Sequence, residues 1–183
     1  MSMKQTLVAL AAGITWALGA QAQCLSDGDV GVMASHYASK TPAPNFPALS
    51  DADGACTRAK FNALLASSFG KVVGYKAGLT NPAVQKRFNT DKPVWGKLYE
   101  GMIQPSGSAV PPAFGARPLF EADMLVRVSS TAINRATTPL QVLNNIDRIV
   151  PFVELPDLMV KPGEPLSGPI VVARDIAHAR IKQ

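Results

Sequence analysis

Between Leu119 and Val128 the sequence alternates in a way that specifies a β-strand with two unlike faces. Side chains alternate across a strand, so Phe120, Ala122, Met124, Val126 and Val128 share one wholly apolar face. The opposite face carries Leu119, Glu121, Asp123, Leu125 and Arg127. Glu121 and Asp123 therefore point the same way, about 6–7 Å apart at the strand rise of ~3.3 Å per residue. Two carboxylates this close repel one another unless water, a cation or a proton lies between them. The same pattern also suits a solvated outer face of an antiparallel sheet, with Arg127 as the ion-pair partner.

A third carboxylate stands out for a different reason. Glu154 lies inside the apolar segment Ile149–Leu155, flanked by Pro151 and Pro156. A carboxylate in a hydrophobic strand is costly unless it is paired or metal-bound. The flanking prolines equally fit an edge strand whose glutamate faces water. Glu121, Asp123 and Glu154 together would make an all-oxygen site, suited to Mg²⁺, Mn²⁺ or Ca²⁺ rather than to zinc.

The rest of the chain is punctuated by 15 prolines and 14 glycines, which predicts a loop-rich domain rather than a helix bundle. At 183 residues and 47% apolar content it is long enough for one globular domain. Asp27 is expected to cap a short helix bearing Val30, Met33, Ala34 and Tyr37, stopped by the prolines from Pro42 to Pro47. Ser50 and Asp53 form a capping-box pattern that opens a helix to Phe69, with Gly70 just past its end. Residues 71–77 read as a strand, and Asn81-Pro82 starts a brief helix to Phe88. Thr138-Pro139 starts another, expected to reach about Asp147.

Residues 1–22 read as an address rather than as fold. Lys4 precedes the apolar run Leu7–Ala20, and Ala20-Gln21-Ala22 supplies the small-x-small pattern of a signal-peptidase site. The expected mature chain, Gln23–Gln183, is periplasmic or secreted and carries no membrane anchor once the signal is cleaved. In an oxidising compartment Cys24 and Cys56, the two cysteines of the chain, are most simply a disulfide. A loop of about 33 residues closed this way restricts the unfolded chain by roughly 3–4 kcal/mol. The net charge of +5 comes from scattered basic residues without an aromatic-interleaved cluster, so nucleic acid is not the expected partner. That charge suits mild attraction of small anions.

Several segments occur in an order that resembles a known family. Gly74–Thr80 reads Gly-Tyr-Lys-Ala-Gly-Leu-Thr; Val84-Gln85, then Pro93–Gly96 (Pro-Val-Trp-Gly), Glu121-Ala-Asp123 and Pro151–Glu154 (Pro-Phe-Val-Glu) follow. The set resembles the 2-keto-4-pentenoate hydratase and 4-oxalocrotonate decarboxylase branch of the fumarylacetoacetate hydrolase superfamily. The resemblance implies an α+β fold, with an N-terminal helical region over residues 23–70. An incomplete mixed β-roll of fumarylacetoacetate hydrolase-like type would follow over 71–183. It implies Mg²⁺ or Mn²⁺ held by Glu121, Asp123 and Glu154, and a small 2-oxo or 2-hydroxydienoic acid as substrate. Lys76 falls on the motif lysine and would contact the substrate anion or shuttle a proton.

Three departures bear on what the resemblance implies. Asp123 stands where better-known hydratases have Glu, one methylene shorter. Val94 stands where hydratases often carry an acidic residue, which leaves decarboxylation or carbon–carbon hydrolysis open beside water addition. Family members also continue well beyond the third acidic position, so a truncated chain is expected. Such a chain would be an inactive fragment, a metal or oxo-acid binding module, or a partial domain completed as a homo-oligomer through an open sheet edge. A hydrolase of the acylpyruvate type would need a water-activating base. His178 is read as a surface residue rather than that base.

Overall fold

The structure is a computed structural model, and it describes residues 23–46, 48–175 and 179–182, the last four as backbone. The signal-peptide reading of residues 1–22 and the reading of His178 fall outside the described residues. Two helices open the described chain, α1 (Asp27–Ser39) and α2 (Asp51–Phe69). The cap of α1 is Ser26 rather than the expected Asp27. The Ser26 hydroxyl accepts the Asp29 N–H, and Asp27, now the first helical residue, pairs with Lys60 at 2.7 Å. A serine one residue earlier satisfies an orphan N–H of the first turn, leaving the aspartate to interact with the positive helix end. At α2 the capping box is complete: the Ser50 hydroxyl accepts the Asp53 N–H, and the Asp53 carboxylate accepts the Ser50 N–H.

The main core lies where these helices meet the following strands. Val30 and Met33 of α1, Phe61 and Leu65 of α2, and Tyr99, Met102 and Met159 are all buried. Each such side chain contributes about 1.5–3 kcal/mol when removed from water. The Tyr99 hydroxyl donates to the Asn62 carbonyl at 3.1 Å, which satisfies the polar end of an otherwise apolar wedge. Cys24 and Cys56 are bridged, with their Cα atoms 5.4 Å apart, tying the start of the described chain to α2.

Strand β1 (Val72–Gly78) pairs antiparallel with β2 (Val94–Tyr99), and the short helix α3 (Pro82–Arg87) lies between them, its first turn capped by Asn81. A second, mixed sheet has the order β3-β6-β5-β4. Its strands are β3 (Ile103–Gln104), β4 (Glu121–Val128), β5 (Ile146–Pro156) and β6 (Ala179–Lys182). β3 runs parallel to β6, and the other neighbours are antiparallel. The helix begun at Thr138-Pro139, α4 (Pro139–Leu143), is shorter than expected, because Ile146 already belongs to β5. The last helix, α5 (Gly168–Ala173), packs on α2. This arrangement is of the α+β class.

Gly54 lies where α2 and α5 approach closely. A Cβ at Gly54 would lie 2.6 Å from the carbonyl oxygen of Pro169, closer than packing allows. Gly54→Ala is therefore expected to push α5 away and to cost about 1–3 kcal/mol despite alanine's better helix propensity, as measured by urea unfolding.

The β4–β5 hairpin orients its faces in an unexpected way. The apolar face meets solvent: Phe120 is 81% exposed, and Met124, Val126, Val128, Ile149 and Val153 are also exposed. The opposite face holds Leu125, Val150 and Phe152 half-buried. Arg127 turns to Asp147 rather than to the carboxylates, making a bidentate pair at 2.7 Å.

Candidate functional site

Alternation in β1 puts Gly74, Lys76 and Gly78 on one face, opposite Leu98, Gly96 and Val94 of β2. That face turns inward and carries the Lys76 ammonium to the second sheet. Lys76 Nζ lies 3.5 Å from Glu154 Oε1, and the two side chains are only 8% and 11% exposed. The expectation of an edge-strand Glu154 facing water does not hold. Glu154 is 8% exposed, and β5 is no edge strand there, with β4 on one side and β6, paired through Ile181, on the other. Pro151 is tolerated because β6 pairs β5 only from Val153 onward.

Glu121 stands directly across from Glu154, so the two carboxylates project from the same face of the hairpin. Asp123, paired with Phe152, lies two residues further along that face. Burial pushes the Glu154 carboxyl up from the usual carboxylate range; Lys76 draws it back down, while Glu121 and Asp123 push it further up. Burial likewise lowers the Lys76 ammonium, opposed by Glu154, Asp175 and Glu121. Lys76 and Glu154 are 78 residues apart in sequence and are brought together by the fold. Asp123 is exposed, and its Oδ1 accepts the N–H of Met124 at 2.7 Å.

Hard carboxylate oxygens on one face fit a hard divalent cation in kind. As the side chains stand, no three His, Cys, Asp or Glu groups among the described residues are gathered closely enough to hold an ion.

Asp175 and Arg58 also belong to this neighbourhood, and neither was selected from the sequence. Asp175 is fully buried and shares the Lys97 N–H between its two carboxylate oxygens at 3.0 and 3.2 Å. Burial raises its carboxyl, while the Lys97 N–H, Lys76 and Arg58 hold it down. The Arg58 guanidinium lies 3.8 Å from the centre of the Trp95 ring and donates to the Trp95 carbonyl. The sequence carries no local signal for Asp175, because the glycine that admits it, Gly96, lies on a distant strand.

Comparison with known proteins gives a consistent picture. No family model matches the sequence. The chain is 43% identical over 54 residues to a 2-keto-4-pentenoate hydratase of Burkholderia vietnamiensis, a segment covering 30% of this chain and 21% of that protein. It is 29% identical over 85 residues to a 2-keto-4-pentenoate hydratase of Paraburkholderia xenovorans, covering 46% and 32%. In fold it is similar to 4-oxalocrotonate decarboxylase from Pseudomonas putida G7 complexed with magnesium and adipate. That match has a TM-score of 0.74 and 21% identity over 85% of this chain and 60% of that one. The same enzyme complexed with calcium and acetate matches with a TM-score of 0.71 and 20% identity. The matched segments thus span at most about a third of the curated relatives.

Proposed function

We propose that this chain, which resembles the 2-keto-4-pentenoate hydratase and 4-oxalocrotonate decarboxylase branch in part of its sequence and in its fold, carries a divalent-metal-dependent, lyase-type site for a small 2-oxo or 2-hydroxydienoic acid. The observation that carries this reading is the buried meeting of Lys76 with Glu154, across from Glu121. Glu121, Glu154 and Asp123 would hold Mg²⁺ or Mn²⁺. Such a cation supplies Lewis acidity toward negative charge developing at a 2-oxo oxygen.

The chain's own residues do the remaining work. Lys76 presents a desolvated ammonium, which binds a substrate carboxylate more strongly than an exposed lysine could. Its depressed affinity for protons also suits it to hold or release one at Nζ. The buried position of Glu154 keeps water from the pair and strengthens both roles. Export is part of the same proposal: the Cys24–Cys56 bridge suits an oxidising compartment.

One observation favours a second reading. No three His, Cys, Asp or Glu groups among the described residues are gathered as a ready ion site, which favours a relic of the site in an inactive fragment. Calorimetry separates the two. Residues 23–183 are expected to bind Mn²⁺, and oxalate, a mimic of the chelating end of a 2-oxo acid, should tighten that binding. The Glu121→Gln/Asp123→Asn variant should lose it. A folded protein with no Mn²⁺ affinity would refute the lyase reading and leave the second.

A further inference from the structure

Gly96 sits directly across the β1–β2 ladder from Lys76. Residues so opposed share a face, with their Cβ positions about 4.5–5.5 Å apart. The space a side chain at Gly96 would fill is occupied instead by Asp175. A Cβ at Gly96 would lie 2.8 Å from the backbone oxygen of Asp175 and 2.9 Å from its Oδ1. Asp175 therefore stands where the cross-strand neighbour of Lys76 would be. Its conformation is specific: φ is +51°, just past the end of α5, and both carboxylate oxygens face the Lys97 N–H. A fully buried carboxylate is strongly unfavourable without cationic partners. The charges that act on it are those of Lys76 and of the Arg58 guanidinium stacked on Trp95, and Asn62 adds a side-chain hydrogen bond.

We infer that Asp175 is a positioning residue for Lys76, a second carboxylate that steadies the ammonium from the β2 side while Glu154 engages it from β5. The glycine at position 96 is what admits it. The consequence concerns Glu154. An ammonium with one carboxylate partner would compete with any cation for Glu154; an ammonium with two can give Glu154 up. Only this consequence rests on the functional reading above; the placement of Lys76 does not.

A double-mutant cycle tests the placement without metal. Asp175→Asn keeps an acceptor for the Lys97 N–H and removes the charge, and Lys76→Met removes the ammonium. In denaturant unfolding the two together should be less damaging than the product of the single effects, with a coupling of about tenfold in the unfolding constant. Independent single effects would overturn the inference. Should Asp175→Asn not fold, Lys76→Met alone suffices. Hydrogen exchange at the Lys97 amide should then accelerate about tenfold relative to other β2 amides, and unchanged exchange would overturn the inference.

A readout that a purely structural role would not move is Mn²⁺ affinity, measured by calorimetry. Asp175→Asn should weaken it about tenfold, and adding Lys76→Met should restore it. A loss that Lys76→Met does not relieve would overturn the inference. Coupling in the unfolding cycle with no Mn²⁺ binding by the parent protein would support the placement of Lys76 while refuting the lyase reading.

Discussion

Replacing Lys76 with methionine is expected to cost about 3–5 kcal/mol of stability at neutral pH, the range for removing one partner of a buried pair. The substitution keeps a similar side-chain length and leaves Glu154 and Asp175 buried with their main cation gone. Both carboxyls already lie above their ordinary range through burial, and losing the ammonium pushes them higher. The sign of the pH dependence follows. A carboxyl whose folded-state pKa exceeds its unfolded one binds protons more tightly when folded, so stability falls as pH rises through the folded value. The variant should thus recover toward the parent as the pH is lowered from neutral into the usual carboxylate range. Urea midpoints measured across that interval check both size and sign. A variant equally destabilised at every pH would show that the cost comes from packing rather than charge.

The second large effect concerns the bridge between Cys24 and Cys56. Replacing both with serine should lower stability by about 3–4 kcal/mol, from the restored freedom of the unfolded loop. For a chain of this size that is a fall of about 10 °C in melting temperature. The loss should be felt first in α1. Its approach to α2 otherwise rests on Val30 and Met33 packed with Phe61 and Leu65, on the Leu25 N–H donating to the Thr57 hydroxyl, and on Lys60, which donates to the Leu25 carbonyl and pairs with Asp27. Calorimetric melts of the parent with and without reductant, beside the double serine variant, measure it. Reduction and substitution should give the same value.

How far the fold could be read in advance depended on whether the deciding interaction was local. The capping box at Ser50, the Asn81 cap and the Thr138 capping box are sequence-local devices, and they open helices where their patterns indicate. The first cap falls one residue before the expected Asp27, because Ser26 and Asp27 are both good caps and only backbone geometry chooses between them. The length of α4 was overestimated because nothing local announces the turn into β5; pairing with β4 ends the helix. The burial of Glu154 could not be read from its flanking prolines, since β6 and Lys76, 78 residues away, both come from distant sequence. Asp175 is illegible in the sequence for the same reason. Its role comes from a helix end meeting a glycine on a distant strand, and no window of sequence contains both.

The apolar face of the β4–β5 hairpin also governs how the chain behaves among copies of itself. Facing solvent, Phe120, Met124, Val126 and Ile149 make a patch that salting-out agents such as sulfate strengthen. Opposing them is the long-range repulsion of a basic protein with a pI near 9.4. At neutral pH and modest salt, that repulsion opposes their contact. Near the pI, or at ionic strengths where the Debye length shrinks to about 3 Å, it vanishes, and solubility is left to whatever covers the hairpin.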